Sequence, residues 1–317
     1  MHHGDENDQA ENVSGRAVRV GRIDVLEHDG LLLDVRDCGP RDGDAVVLLH
    51  GFPQDSRCWD SVTPHLHRAG FRTLALDQRG YSPKGSPSEI SAYRIEALAA
   101  DVLRLLDEAG LERAHIVGHD WGGALAWHLG AHHAARVATL TVLSTPHPQA
   151  FAWSLLRSAQ GLRSWYAVAV QVPVLPELVL GATLAPALRL SGLPKETAQR
   201  YGACMANASD LTGPLNWYRA SARHALMGLP HLPGGNDAEI IHAPTTYLWG
   251  RSDPALGRTA AHRTEQYVDA EYRFVELDAG HWLPETEPAA VAREVVLRAT
   301  AASPPTIPVL GGPSADT

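Results

Sequence analysis

The sequence predicts an α/β protein with a mostly parallel central sheet, flanking helices and an inserted helical cap. Four short apolar runs, at 46–51, 71–77, 114–119 and 137–144, are continuous rather than alternating, as is typical of strands buried on both faces. A helical stripe of apolar residues over 95–106 separates the second run from the third. This strand–helix–strand order requires parallel strands.

The segment before the first of these runs predicts an antiparallel hairpin. Residues 21–37 contain two strand-like stretches around Asp29-Gly30, a dipeptide that favours a two-residue hairpin turn. Further along, Gly110 lies where the helix after residue 95 is expected to end.

After residue 145 the pattern changes. The stretch to residue 238 is rich in Leu, Ala and Pro at helical spacing and lacks strand-like alternation, which indicates a helical insertion. The strand pattern returns at 245–250 and 272–278, with a helix over 258–268 between them. A last helix begins at Pro288, a residue favoured at the first helical position.

These elements divide the chain into a core and a cap. We expect the core to comprise 18–145 and 239–301, and the cap to comprise 146–238. Residues 1–17 form a polar, acidic leader and residues 302–317 a tail rich in Pro and Gly, and both are expected to be disordered.

Composition excludes several classes of function. The chain has 317 residues, 44% of them apolar, and a formal charge of -9 without any long basic run, so a nucleic-acid partner is not expected. The first residues lack the apolar region of a signal peptide, which favours a cytoplasmic location. The most apolar region, 165–193, is interrupted by proline and charge, so no membrane span is expected. Three widely spaced cysteines give no support to a disulfide framework or a zinc site.

The stretch Gly118-His119-Asp120-Trp121-Gly122 predicts a strained turn between a strand and a helix, with Asp120 at its tip. Hydrolases that use this turn commonly carry serine there, and serine needs a base to ionise it. Aspartate has a reference pKa of about 3.9 and is already an anion at neutral pH. An alkyl group transferred to Asp120 would form an ester, which water can cleave, whereas the serine ether would resist cleavage. The residue type therefore favours displacement at an sp³ carbon followed by hydrolysis.

Six motifs occur in register along residues 20–300. They are HGFPQ (50–54), DQRGYS (77–82), GHDWGG (118–123), GPLNWYRA (213–220), WGRSD (249–253) and GHW (280–282). Together they resemble the α/β-hydrolase fold and, within it, the epoxide hydrolases. The resemblance implies a triad in the order nucleophile, acid, histidine.

In that triad Asp120 is the expected nucleophile, His281 the base that activates water, and Asp253 the residue that orients His281. The chain has 17 histidines, but His281 directly follows a predicted strand and lies downstream of Asp253. Asp278 and Asp269 compete with Asp253 for the acidic position.

The loop after the apolar run 46–51 and the neighbours of Asp120 and His281 supply further site residues. The backbone N–H groups of Phe52 and Trp121 are the expected oxyanion hole. Pro53, Trp121 and Trp282 are expected to contact the substrate, and the family pattern suggests a cis bond at Pro53.

Opening an epoxide releases an alkoxide that is roughly as basic as hydroxide, so it needs a proton donor. Epoxide hydrolases use two cap tyrosines for this purpose, and the resemblance places them at Tyr218 and Tyr166. Trp165 and Tyr201 are the competing residues for the second position.

The sequence thus predicts an epoxide hydrolase that needs no metal or cofactor, acts on a small epoxide with water and forms a vicinal diol. The cap residues Val168, Val170, Val172, Leu175 and Leu178 suggest a hydrophobic substrate, and a homo-oligomer is compatible with the sequence.

A haloalkane dehalogenase is the first alternative, because it shares the aspartate turn. Halide leaves without a proton but needs side-chain N–H donors, and Phe52 supplies none. Fluoroacetate-type dehalogenases carry arginine where this chain has Trp121. A non-catalytic ligand-binding relative is a second alternative. An esterase would favour serine at position 120.

Overall fold

The computed structural model describes residues 21–227 and 239–302 and has one eight-stranded sheet at its centre. The strands are β1 (Val25–His28), β2 (Leu31–Cys38), β3 (Ala45–Leu49), β4 (Arg72–Leu76), β5 (Ala114–His119), β6 (Val137–Leu143), β7 (Thr245–Gly250) and β8 (Tyr272–Leu277). They lie in the order β1-β2-β4-β3-β5-β6-β7-β8. All neighbours from β4 to β8 are parallel, while β1 and β2 pair antiparallel. The predicted α/β class with a mostly parallel sheet is confirmed.

Twelve α-helices lie within the described residues. They are α1 (Thr63–Arg68), α2 (Ile95–Glu108), α3 (Trp121–His132), α4 (Pro148–Arg157), α5 (Gln160–Arg163), α6 (Trp165–Ala169), α7 (Leu175–Leu190), α8 (Lys195–Cys204), α9 (Ala208–Met227), α10 (Arg258–Arg263), α11 (Leu283–Thr286) and α12 (Pro288–Ala302). The helix predicted over 258–268 is shorter, because the chain tightens into a 3₁₀ turn at Thr264–Tyr267. None of the helices in the described ranges combines the length and the apolar character of a membrane crossing.

The predicted hairpin turn, the apolar face of α2 and the buried strands are all present in the structure. Asp29 and Gly30 form the hairpin turn with φ values of 52° and 73°, as a two-residue turn requires. Helix α2 buries Leu98, Val102 and Leu105. The central strands β3, β4 and β5 are buried along their whole length. The sheet therefore places the ends of β5, β7 and β8 at one edge, where their following loops meet.

Helices α4 to α9 lie between β6 and β7 and correspond to most of the predicted cap. The buried pair Arg219–Glu177, with an N–O distance of 2.7 Å, joins α9 to α7. The last cap residues, 228–238, lie outside the described ranges, as do the predicted leader and all but residue 302 of the predicted tail.

Helix α9 meets the core through a contact between two glycines. A Cβ atom on Gly213 would lie 2.6 Å from the Cα atom of Gly80, and one on Gly80 would lie 2.8 Å from the carbonyl carbon of Gly213. Next to this contact the indole N–H of Trp217 donates to the carbonyl of Arg79 over 2.8 Å. A hydrogen bond and close backbone packing thus fix α9 against the loop after β4.

Most of the five cap residues that suggested a hydrophobic substrate do not lie in the protein interior. Val168, Val172, Leu175 and Leu178 are exposed, and among the five residues only Val170 is buried. The reason is that α6 and the first turns of α7 turn other side chains inwards. Those inward residues include Tyr166, and Glu177 in its ion pair.

Candidate active site

The turn between β5 and α3 holds Asp120 in a strained conformation, with φ 52° and ψ -119°. Its neighbours have no room for a side chain. A Cβ atom on Gly122 would lie 2.2 Å from the carbonyl oxygen of Leu49, and one on Gly118 would lie 2.1 Å from the carbonyl oxygen of Gly122. Glycine is therefore required for the close approach that presents Asp120 at the tip of the turn.

The carboxylate of Asp120 faces a backbone donor on one side and an imidazole on the other. Its Oδ1 accepts the N–H of Phe52 over 2.9 Å, and its Oδ2 lies 3.6 Å from Nε2 of His281. Burial raises the pKa of Asp120, but the hydrogen bond and charge of His281, with smaller contributions from His119 and Phe52, outweigh it and lower the pKa below its usual value. Asp120 is therefore an anion at neutral pH.

His281 is held between two carboxylates. Its Nδ1 lies 2.8 Å from Oδ2 of Asp253, whose other oxygen accepts the backbone N–H groups of Ala255 and Leu256. Burial disfavours the imidazolium, yet the charges of Asp253 and Asp120 prevail and raise the pKa of His281 to about 10. The structure thus brings together the three residues that the sequence assigned to a triad.

The competing aspartates lie elsewhere. The side chains of Asp278 and Asp269 are each 84% exposed, and their ion-pair partners are Arg251 and His242. Neither contacts His281 in the described residues.

Two cap tyrosines, Tyr166 and Tyr218, lie close enough to Asp120 for its charge to act on both. Tyr166 on α6 and Tyr218 on α9 have ring centroids 6.1 Å apart, and Tyr218 packs edge-on against Trp121 at 4.9 Å. Burial, followed by the charge of Asp120, raises the pKa of both phenols above the usual value. Both rings are therefore protonated at neutral pH.

The residues that competed with Tyr166 have other surroundings. Trp165 is 68% exposed, and the hydroxyl of Tyr201 donates to Oε1 of Glu285 over 2.8 Å.

The remaining predicted site residues lie around the same carboxylate. The bond between Phe52 and Pro53 is cis. Trp121 begins α3 directly after Asp120. Trp282 is buried beside His281 with ring centroids 5.0 Å apart, and its indole N–H donates to Ser191 Oγ. Contact of these rings with a substrate remains a prediction.

Three residues behind the triad, the buried His119 and Gln54 and the partly buried Glu285, were missed by the sequence reasoning. His119, Gln54 and Glu285 form a hydrogen-bonded row that reaches the backbone of His281. A signal was present, because Gln54 and His119 are polar residues within the motifs HGFPQ and GHDWGG. Within the described residues there is no cluster of three or more ligating side chains that would hold a metal ion.

Comparison with known proteins adds the family context. Residues 44–288 match the family model described as alpha/beta hydrolase fold. The chain is 34% identical to AB hydrolase superfamily protein YfhM of Bacillus subtilis, covering 85% of this chain and 95% of that protein. It is 31% identical to epoxide hydrolase A of Mycobacterium tuberculosis, covering 84% and 94%.

A solved structure is similar over nearly the same length. The crystal structure of epoxide hydrolase A from Mycobacterium thermoresistibile superposes with a TM-score of 0.73 at 30% identity, covering 86% of this chain and 96% of that one.

Proposed function

The chain belongs to the α/β-hydrolase fold family, and from that premise we propose that it is an epoxide hydrolase that converts a hydrophobic epoxide to a vicinal diol. The names of its relatives support this activity. The observation that carries the proposal is the pairing of an ionised carboxylate, Asp120 at the turn between β5 and α3, with two protonated tyrosines near it, whose rings pack against each other and, for Tyr218, against Trp121. An epoxide needs both a nucleophile and a proton donor.

In the first step one carboxylate oxygen of Asp120 attacks a ring carbon. The carbon–oxygen bond of the epoxide breaks, and the oxygen takes a proton from Tyr166 or Tyr218. The products are a hydroxyalkyl ester on Asp120 and one tyrosinate. General acid catalysis of this kind contributes about 10² to 10⁴ in rate.

Formation of the ester also changes His281. The charge of Asp120 is one of the causes that raise the pKa of His281, and esterification removes it. The imidazolium can then return a proton to the tyrosinate, which leaves His281 neutral and able to act as a base. The covalent step thus prepares the base for the next one.

In the second step neutral His281 takes a proton from water, and the hydroxide attacks the carbonyl carbon of the ester. The N–H groups of Phe52 and Trp121 stabilise the oxyanion of the intermediate. Collapse expels the diol oxygen, which takes the proton from His281. The Asp120 carboxyl then ionises, its proton returns to His281, and one of its oxygens has come from water.

An isotope experiment tests this route. With enzyme in excess in ¹⁸O-water, one turnover should give unlabelled diol and a labelled Asp120 peptide by mass spectrometry. Later turnovers should give labelled diol. Label in the first diol would show direct attack by water and refute the covalent step. His281→Gln should accumulate the ester, seen as an intact mass increased by that of the epoxide.

A haloalkane dehalogenase is the alternative with an observation in its favour, since Trp121, a side chain with an N–H group, directly follows Asp120 and packs against Tyr218. To separate the two, styrene-oxide-type substrates and bromoalkanes would be assayed on the wild type and on the Tyr166→Phe/Tyr218→Phe double variant. Epoxide turnover that the double variant loses supports the proposal. Bromide release that survives in both proteins, without epoxide turnover, supports the dehalogenase.

A non-catalytic binding protein would show neither activity while still binding an epoxide. The close approach of Asp120, Asp253 and His281 speaks against it.

A further inference from the structure

A row of buried polar groups runs behind the candidate triad, from Glu285 to the backbone of His281. Gln54 Nε2 donates to Glu285 Oε1 over 2.8 Å, and Gln54 Oε1 lies 2.7 Å from His119 Nδ1. The other ring nitrogen, His119 Nε2, lies 2.9 Å from the carbonyl oxygen of His281. Gln54 and His119 have no exposed surface. The row thus joins a carboxyl group on α11 to the loop that carries the candidate base.

The orientation of the Gln54 amide also connects the row to the loop of Gly51 and Phe52, which we call the oxyanion loop. Gln54 Oε1 accepts the N–H of Gly51 over 3.1 Å, and Gly51 directly precedes the donor Phe52. In this orientation Glu285 is an acceptor, as an ionised carboxylate must be.

His119 is the group whose hydrogen bonds depend on that orientation. Burial and the charge of His281 lower the pKa of His119 to about 4, so its ring is neutral at neutral pH. A neutral imidazole has one N–H and one lone pair. With an amide oxygen at Nδ1, the proton lies on Nδ1, and the lone pair on Nε2 faces the His281 carbonyl without a bond.

A protonated Glu285 allows the opposite arrangement. After a half-turn of the amide, the carboxylic O–H donates to Gln54 Oε1, and Gln54 Nε2 donates to His119 Nδ1. The ring proton then lies on Nε2 and is donated to the carbonyl of His281. Along the path from Glu285 to the His281 carbonyl each bond then joins a donor to an acceptor. The cost falls on the N–H of Gly51, which loses its acceptor in Gln54 and faces the second N–H of the amide.

We propose that Glu285 is a positioning residue whose protonation sets, through the Gln54 amide, which nitrogen of His119 carries the proton. Ionised Glu285 holds the oxyanion loop at Gly51, and neutral Glu285 holds the backbone of His281. The effect on catalysis rests on the proposed function, whereas the exchange of the His119 proton does not.

The ionisation of Glu285 is expected near neutral pH, and the exchange of the His119 proton should occur in the same pH range. Burial raises the pKa of Glu285 to about 7, against the hydrogen bonds from Gln54 and Tyr201. Its Oε2 is buried and has no hydrogen-bond partner among the described residues, which favours the neutral form. The titratable and charged groups that face the two ends of the row are Arg200, Tyr201 and Cys58 near Glu285, and His281, Asp120 and Asp253 near His119.

The direct test is ¹⁵N NMR of histidine-labelled protein, with the His119 signals assigned by their loss in His119→Gln. In the wild type we expect the Nδ1–H tautomer of His119 above pH 8 and the Nε2–H tautomer below pH 6. In Glu285→Gln the tautomer should not change with pH, while the circular dichroism spectrum matches that of the wild type. A wild-type tautomer that is constant from pH 5.5 to 9, or a change that persists in Glu285→Gln, would overturn the proposal.

A kinetic readout separates positioning from a general structural role. Between pH 6 and pH 8.5, the ratio of ester hydrolysis rates of wild type and Glu285→Gln should change by about 3- to 10-fold, the equivalent of one net hydrogen bond. Glu287→Gln removes a carboxylate from the same segment and should keep a constant ratio. Should no epoxide be turned over, the proposed function fails while the NMR result still decides the role of Glu285.

Discussion

The backbone N atom of Phe52 lies 2.9 Å from Oδ1 of Asp120, so the proposed oxyanion donor already binds the proposed nucleophile in the resting protein. Oδ2 is the oxygen that faces His281. If Oδ2 forms the ester bond, Oδ1 becomes the carbonyl oxygen and is already bound by its donor. The arrangement therefore serves both chemical steps without a rearrangement of the loop, since electrostatic stabilisation requires such preformed donors.

Replacing Asp253 by Asn should separate the two steps. The amide removes a negative charge beside His281 and offers Nδ1 a donor or a weaker acceptor, so the hydrolytic step should slow by about 10⁴-fold, as in other triads. Ester formation on Asp120 should persist and be visible as a mass increase. Asp278→Asn, at an exposed position, is the control and should turn over normally. Normal hydrolysis by Asp253→Asn would contradict the assignment.

Removing the tyrosine hydroxyls should slow ester formation. We expect Tyr166→Phe and Tyr218→Phe each to reduce the single-turnover rate of alkylation, and the double variant to reduce it by about 10² to 10⁴. Rapid-quench measurement of the ester gives this rate. Tyr267→Phe, whose ring stacks on His147 instead, is the matched control. An unchanged alkylation rate in the double variant would assign the proton donor elsewhere.

The ionisation of His281 should be measurable in the stability of the protein. The folded pKa of about 10 lies above the usual value of 6.5, so the imidazolium stabilises the fold fully below about pH 6.5. That contribution is lost as the pH rises towards 10. Urea unfolding from pH 6.5 to 10 should show a decline in the free energy of unfolding that is absent in His281→Gln. Equal slopes in both proteins would refute the raised pKa.

The turn between β5 and α3 should not tolerate a methyl group at position 122. In Gly122→Ala the new Cβ would lie 2.2 Å from the carbonyl oxygen of Leu49, which belongs to a buried strand and cannot move aside. We expect a loss of about 1–3 kcal/mol in the free energy of unfolding, together with loss of activity. Gly21→Ala is the control, since a Cβ atom there meets no heavy atom within 4 Å. Wild-type stability of Gly122→Ala would contradict the described geometry.

Local sequence patterns predicted the strands and the turn at Asp120 well, because each of these depends on residues that are close together in the sequence. Continuous apolar runs mark β3, β4 and β5, and Asp29-Gly30 marks the hairpin turn. The approach of His281 to Asp120 across the sheet was inferred from a family resemblance and the order of motifs.

The features that sequence reasoning missed depend on contacts between distant segments. Glu285 lies 231 positions from Gln54, yet their side chains share a hydrogen bond. A carboxylate in a short helix after His281 has no local sign of burial. Similarly, the apolar composition around Val168 does not show which face of α6 turns outwards, because that depends on how α6 packs.

The contact between Gly80 and Gly213 helps to fix the distance of α9, and therefore of Tyr218, from the core that carries Asp120. Since main chain touches main chain there, the closest approach of α9 to the sheet edge is set by backbone atoms, with the Trp217 hydrogen bond beside it. Side chains around the cleft can therefore be exchanged to reshape it for other epoxides while the acid stays in place. A redesign of substrate preference in this scaffold should leave these two positions untouched.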